Sequence, residues 1–292
     1  MRFKCIFRVS GVFYLVGTTG FGYHKGVEHN LDAIVFKAES LPSDMTRAEL
    51  HMWPCRPLLY LKGALIVVPG VNGDGREVLK DSGWFNFAKE NSLLLVGVSF
   101  ASSIHDLQNG YGYYYPDQGS GKVLEDGLQA VGCGHLPLML YGFSGGAHFV
   151  SRFVQWHPTN VVAWCAYSAA WWGTPMTGNV SPPGIVACGS DDFRLVASRD
   201  YFYAGREKGM PWLWIEVASV GHVQSCALED FFRSYVGVLL DNKMPKGLWI
   251  NILSGRCETE MFLRRFPCAM GWLPDESLYH HWLRLCRKMS NE

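Results

Sequence analysis

The chain has 292 residues, 48% of them hydrophobic and 18% charged, which is enough apolar material for a large buried core in one α/β domain. Twenty-six basic residues balance twenty-six acidic ones and no basic run stands out, which argues against a nucleic-acid backbone or an anionic membrane surface as partner. Nine cysteines cannot all pair, no Cys-x-x-Cys or His/Cys cluster has metal-ligand spacing, and no stretch reaches the roughly 18 apolar residues that span a bilayer. The expectation is a soluble protein without a disulfide framework, a metal, a cofactor or an integral membrane association.

Residues 1–8 are basic and residues 9–17 apolar, as in a short export signal, but no A-x-A-like cleavage site follows. The alternative is a hairpin, with strands over 3–10 and 12–17 turning near Gly11. A cytoplasmic location is favoured over export. Residues 1–56 are left as an N-terminal segment of unassigned role, and 57–292 read as one domain. Edge or hairpin strands are expected over 34–39 and 57–63, and a buried strand over 63–70 that ends in Pro69-Gly70. There follow a helix over 83–91, a strand over 93–100, a helix over 122–131, a strand over 137–142 and a helix over 147–156. Strands over 161–168, 183–190 and 211–217 alternate with helices over 193–208 and 224–240. A closing helix in LPDESLYHHWLRLCRK is capped by Asp275. Apolar runs without alternation, separated by helices, predict a mostly parallel sheet covered on both faces. Cys165 and Cys188 fall inside such runs, where a free thiol acts as a small apolar filler.

The most informative stretch is LPLMLYGFSGGAHFV, residues 136–150, in which an apolar strand breaks into Gly142-Phe143-Ser144-Gly145-Gly146 and resumes with helical spacing. A serine on a tight strand-to-helix turn adopts strained dihedrals, and glycines on either side let the backbone pass without Cβ clashes, so the hydroxyl stands clear of the sheet. In an open parallel sheet the functional groups collect beyond the carboxyl ends of strands, so the partners of Ser144 are sought there. A serine hydroxyl needs a base within hydrogen-bond reach, itself oriented by a carboxylate. His222 follows the strand over 211–217 and is the candidate base. His105 is its rival, and His148, four residues after Ser144, is read as packing that points away from the turn. Asp191 and Asp192 end the strand over 183–190. Asp192 is preferred as the orienting acid, with Asp191 left to cap the next helix or bond the loop. The loop from Pro69 to Gly75 offers backbone N–H groups, so an oxyanion hole would combine the amide of Gly145 with that of Val71 or Asn72. The alternative reading of this loop, a Gly-rich phosphate-binding loop, is disfavoured because neither G-x-G-x-x-G nor a Gly-Lys-Ser/Thr ending is present.

VVPGVNGDG, YGFSGGAHF, GSDD and SVGH occur in an order and at spacings that resemble the α/β-hydrolase superfamily. The short oxyanion loop, the absence of a cap insertion and the GFSGGA elbow are most similar to its polyhydroxybutyrate depolymerase, feruloyl esterase and dienelactone hydrolase-like branches. The resemblance covers residues 57 to 240. It implies an α/β-hydrolase fold with a mostly parallel sheet, helices on both faces and no large cap domain. It also implies a serine esterase in which Ser144, Asp192, His222, Val71 and Gly145 take the site roles. One departure is the Pro69-Gly70 pair where many relatives have His-Gly, which bears on the second oxyanion donor.

Aromatic residues mark candidate substrate contacts. Tyr111, Tyr113, Tyr114 and Tyr115 follow the strand over 93–100, and Trp171 and Trp172 follow that over 161–168. Of these, Tyr114, Tyr115, Trp171 and Trp172 are expected to line an open site for small-molecule or polymer esters, the other reading being that such aromatics seal the core. Peptidase or acyltransferase chemistry would use the same residues, and a non-catalytic binding protein could share the fold.

Overall fold

The computed structural model describes residues 8–9, 12–16, 33–42, 44–175, 181–241 and 246–286. Residues 1–7, 10–11 and 17–32, which include the basic start of the leader-like segment and the turn near Gly11, lie outside them, as do residues 176–180 of the loop after the strand over 161–168. The chain divides into two units, Met1–Pro137 and Leu138–Glu292.

In the first unit, β1 (Arg8–Val9), β2 (Val12–Val16), β3 (Ile34–Lys37) and β4 (Arg47–Pro54) run antiparallel in sequence order. β4 is absent from the sequence expectation. Apolar Ala48, Leu50 and Met52 alternate with polar Arg47, Glu49 and His51, which is the period of a sheet strand, although His51 is buried as well. The strand expected over 57–63 is instead a 3-10 turn, Leu58–Tyr60, with Leu59 and Tyr60 exposed. β5 (Gly63–Val68) is fully buried, and after α1 (Arg76–Lys80) and α2 (Ser82–Asn91) the chain returns as β6 (Leu93–Ala101), parallel to β5 and antiparallel to β4. Asp81 caps α2 by accepting from the Trp84 amide, and Ser92 ends it in the left-handed region at φ 59°. α3 (Ile104–Gln108) and α4 (Ser120–Ala130) complete the unit.

The second unit opens with β7 (Leu138–Phe143), followed by α5 (Gly145–Trp156), β8 (Val161–Tyr167), β9 (Gly184–Gly189), α6 (Leu195–Glu207), β10 (Trp212–Val217) and α7 (Cys226–Asp241). β7, β8, β9 and β10 are neighbours in that order, all parallel. Every residue of β9 is buried, so helices cover this sheet on both faces, and Cys165 and Cys188 are buried free thiols within it. α5 packs on β7 and β8 through Phe149, Val150, Phe153 and Val154, spaced i, i+1, i+4, i+5 along one stripe. Truncating either phenylalanine to alanine would cost about 3–5 kcal/mol. β11 (Leu248–Asn251), α8 (Glu260–Arg265), β12 (Met270–Leu273) and α9 (Tyr279–Cys286) close the chain, with β11 and β12 forming a small antiparallel pair. Asp275 caps the 3-10 turn Glu276–Leu278 that leads into α9, not α9 itself. Among the described residues no helix is long and apolar enough to cross a membrane.

Candidate active site

The carboxyl ends of the parallel strands are held level. Ser144, Ser168 and Ser190 follow β7, β8 and β9, and their amides donate to Tyr167 O, Ala187 O and Val217 O of the next strand at 2.8, 2.9 and 2.9 Å. The loops that leave those ends therefore share one rim, and Asp192 and His222 extend from it.

Ser144 stands between β7 and α5 at φ 52°, ψ −110°, a region that costs a non-glycine residue about 1–3 kcal/mol. Its neighbours explain how the turn is tolerated. A Cβ on Gly142 would collide with the carbonyl of Gly146, so only glycine lets the end of β7 cross the first turn of α5 so closely. The Ser144 carbonyl accepts the amides of Ala147 and His148 at 3.0 and 3.3 Å, so the strained residue is already part of the helix hydrogen-bond ladder.

His222 lies in the loop after β10, which is zipped to the loop after β9. The Asp191 amide donates to Val220 O at 3.0 Å, the Ser219 amide donates to the Ser190 hydroxyl at 2.8 Å, and a Cβ on Gly189 would strike Val220 O. This fixes the acid-bearing and histidine-bearing loops against one another. The His222 ring stacks on Phe143, the residue before Ser144, with centroids 5.0 Å apart. Its Nε2 is 2.9 Å from Ser144 Oγ and its Nδ1 2.8 Å from Asp192 Oδ2. A carboxylate oxygen only accepts, so Nδ1 carries the proton and the Nε2 lone pair faces the serine hydroxyl.

The Asp192 side chain is fully buried, and its other oxygen, Oδ1, accepts both the amide and the guanidinium of Arg194 at 3.1 Å. Burial raises its pKa, but the bonds from the Arg194 amide, the His222 ring, the Ser168 hydroxyl and the Arg194 guanidinium outweigh it and hold the carboxyl below its ordinary 3.8. Asp191 is exposed, and its Oδ1 accepts from the Ser190 hydroxyl instead. Ser168, Arg194 and Phe143 carry no motif that assigns them to the site. The carboxyl-end rule marks Ser168, and adjacency to Asp192 marks Arg194.

Of the two rival histidines, His105 is exposed on α3 in the first unit. His148 does not point away from the turn as expected. Its Nδ1 lies 2.9 Å from the Ser144 carbonyl because residues four apart on a helix stand one above the other. Burial pushes its pKa down to about 3.

Asn72 has φ 55° and its amide donates to the Tyr113 hydroxyl at 3.3 Å, while Val71 is exposed. Asn72 is also bound through its side chain to the Ser102 backbone and through its carbonyl to Arg47, so it is a structural brace of its own loop. Tyr114, in the first unit, is 4% exposed and packs edge-on against Tyr113, and Tyr115 is half-buried. The tryptophan pair separates. Trp172 stacks on Tyr201 with centroids 4.4 Å apart, whereas Trp171 is 45% exposed with its ring 5.4 Å from that of His148.

No protein-family model and no curated protein sequence matches the chain. Solved structures do. The poly(3-hydroxybutyrate) depolymerase LpqC of Bordetella parapertussis aligns over 80% of this chain and 92% of its own, at 17% identity and a TM-score of 0.50. The fluorophosphonate-binding serine hydrolase FphF of Staphylococcus aureus aligns over 71% of this chain and 98% of its own, at 15% identity and a TM-score of 0.51. The S-formylglutathione hydrolase FrmB of the same species aligns over 71% and 98%, at 14% identity and 0.52. At such identities the likeness is one of fold, and the fold is that of the α/β-hydrolases, a mostly parallel sheet with helices on both faces.

Proposed function

We propose that this protein is a serine hydrolase of carboxylic esters, working through Ser144, His222 and Asp192. The observation that carries the reading is the continuous hydrogen-bond chain from Ser144 Oγ through the His222 ring to Asp192 Oδ2, at 2.9 and 2.8 Å, on a serine held at positive φ. Fold alone would not decide it, since one fold hosts many functions.

The steps follow from the protonation states. Ser144 Oγ bonds to the ester carbonyl carbon as its proton passes to His222 Nε2, and the carbonyl π electrons move to oxygen to give a tetrahedral oxyanion. Asp192 stays ionised and stabilises the imidazolium. The Gly145 amide, the first of α5, supplies one oxyanion donor. Collapse of the oxyanion breaks the bond to the alkoxy oxygen, which takes the proton from His222 Nε2 and leaves as alcohol. Water, deprotonated by the same nitrogen, then attacks the acyl carbon to give a second tetrahedral oxyanion, and its collapse breaks the bond to Ser144 Oγ, which takes the proton back from His222 Nε2 as the acid leaves. The residues need no metal or cofactor for these steps.

The test is p-nitrophenyl acetate turnover together with fluorophosphonate labelling, wild type beside Ser144→Ala. Label and turnover that both map to Ser144 support the reading. A folded wild type that takes no label rejects it. Competing amine and alcohol nucleophiles with product analysis separate the esterase from a peptidase or acyltransferase.

A further inference from the structure

His148 has more to do than fill space. Its Nδ1 is 2.9 Å from the Ser144 carbonyl, and its Nε2 lies 3.0 Å from each of the Ala170 and Trp171 amide nitrogens. A carbonyl oxygen only accepts and an amide only donates, so Nδ1 carries the single ring proton and Nε2 accepts from both amides. The ring is almost completely buried and stays neutral, since burial, Arg152, Arg194 and His222 all oppose its protonation and only the Ser144 carbonyl favours it. Arg152, one turn further along α5, ties the same groups together by donating to His148 O at 3.2 Å and to Trp171 O at 2.8 Å.

The consequence lies in the Ser144–Gly145 peptide. Its C=O is the acceptor of the His148 ring, and its N–H is the Gly145 donor that the esterase reading assigns to the oxyanion. Both groups belong to one rigid plane, so whatever orients the carbonyl orients the amide. The carbonyl takes three donors, the amides of Ala147 and His148 and the ring Nδ1–H, and hydrogen bonds to a carbonyl polarise the amide on the far side of the same peptide.

We propose that His148 is a positioning residue for the oxyanion hole: through the Ser144 carbonyl it aims and polarises the Gly145 N–H, while its Nε2 ties the loop bearing Trp171 to the same peptide. The proposal rests on the serine hydrolase reading. It makes His148 matter to the transition state, where the oxyanion exists, more than to ground-state binding.

The chain itself supplies the rescue. Asn91 and Asn109 each donate their side-chain amide to the carbonyl four residues before, Phe87 O at 2.9 Å and His105 O at 2.7 Å. An asparagine at 148 can reach Ser144 O in the same way, and a phenylalanine cannot.

The experiment measures kcat and KM of wild type, His148→Asn and His148→Phe on p-nitrophenyl acetate, with fluorophosphonate labelling of Ser144 on the same samples. Labelling of the wild type first establishes the hydrolase reading, so failure there is distinct from failure of this inference. The expected result is a kcat reduced about 10- to 100-fold in His148→Phe, somewhat less than direct removal of an oxyanion donor, with KM changed less than about threefold, and His148→Asn within about threefold of wild type in both. Should the phenylalanine variant not fold, His148→Thr and His148→Val replace the pair, because they differ in the hydroxyl that bonds the i−4 carbonyl. The threonine is then expected to exceed the valine in kcat about tenfold. Wild-type kcat in His148→Phe, equal losses in His148→Asn and His148→Phe, an effect confined to KM, or equal kcat in the threonine and valine variants overturns the inference.

Discussion

Replacing Asp192 by asparagine changes one atom and reverses a proton. The carboxylate now accepts from His222 on Oδ2, from both donors of Arg194 on Oδ1, and from the Ser168 hydroxyl, which can donate or accept and so suits either turn of an amide. An asparagine has one acceptor and one donor group to divide between those sides. Turning its NH2 toward Arg194 would oppose two donors and give up two bonds, one of them charge-assisted and worth roughly 1.5–3 kcal/mol, whereas turning it toward His222 gives up one. The amide oxygen therefore stays with Arg194 and the NH2 faces His222 Nδ1, which must become the acceptor. The ring proton moves to Nε2, and Ser144 loses its base. Loss of the base tautomer lowers kcat by about 10³- to 10⁴-fold, or roughly 4–5.5 kcal/mol at 1.36 kcal/mol per decade. The fold survives, because the packing volume is the same. The assay is p-nitrophenyl acetate turnover beside Asp191→Asn, which touches only the exposed Ser190 hydroxyl contact and keeps wild-type kcat within about threefold. An Asp192→Asn enzyme within tenfold of wild type, or an Asp191→Asn enzyme equally impaired, refutes the reasoning.

Other outcomes follow from the same contacts. Gly142→Ala drives a Cβ into the Gly146 carbonyl, so urea denaturation should show a loss of roughly 3 kcal/mol or more, accompanied by slower labelling of Ser144. Trp172→Ala removes a ring stacked on Tyr201 and lowers stability by about 3–5 kcal/mol, while Trp171→Ala leaves the urea midpoint within the scatter and shifts KM. His51, His148 and His281 are all held below the ordinary 6.5 by burial, so the unfolded chain binds protons in a range where the folded one does not. Stability is full above pH 6.5 and falls as pH drops through it toward the folded values, by at most about 1.4 kcal/mol per pH unit for each histidine. Urea midpoints between pH 7 and pH 4 should decline less steeply in His148→Asn.

Much of the second unit is legible in the sequence because buried parallel strands are unbroken apolar runs. Residues 138–143, 161–167, 184–189 and 212–217 are such runs, and their carboxyl ends point to Ser144, Asp192 and the loop of His222. The first unit is harder. β4 hides because the polar Arg47, Glu49 and His51, the last of them buried, interrupt its apolar residues, and the 57–63 run misleads because Leu59 and Tyr60 are apolar yet exposed on a 3-10 turn. Composition does not distinguish a covered run from an uncovered one. His148 is hard to place from sequence for a different reason. Its four-residue spacing from Ser144 puts the ring over the serine carbonyl, whereas the catalytic motif points to the hydroxyl of that residue and not to its backbone. Trp171 and Trp172 are alike in sequence, and only the packing of Tyr201 separates them.

The most direct measurement is peptide-resolved mass spectrometry after fluorophosphonate treatment of wild type and Ser144→Ala, run beside p-nitrophenyl acetate turnover. A single adduct on Ser144, with label and turnover both lost in the variant, is the expected result. Turnover that persists in Ser144→Ala, or an adduct on another residue, contradicts the account.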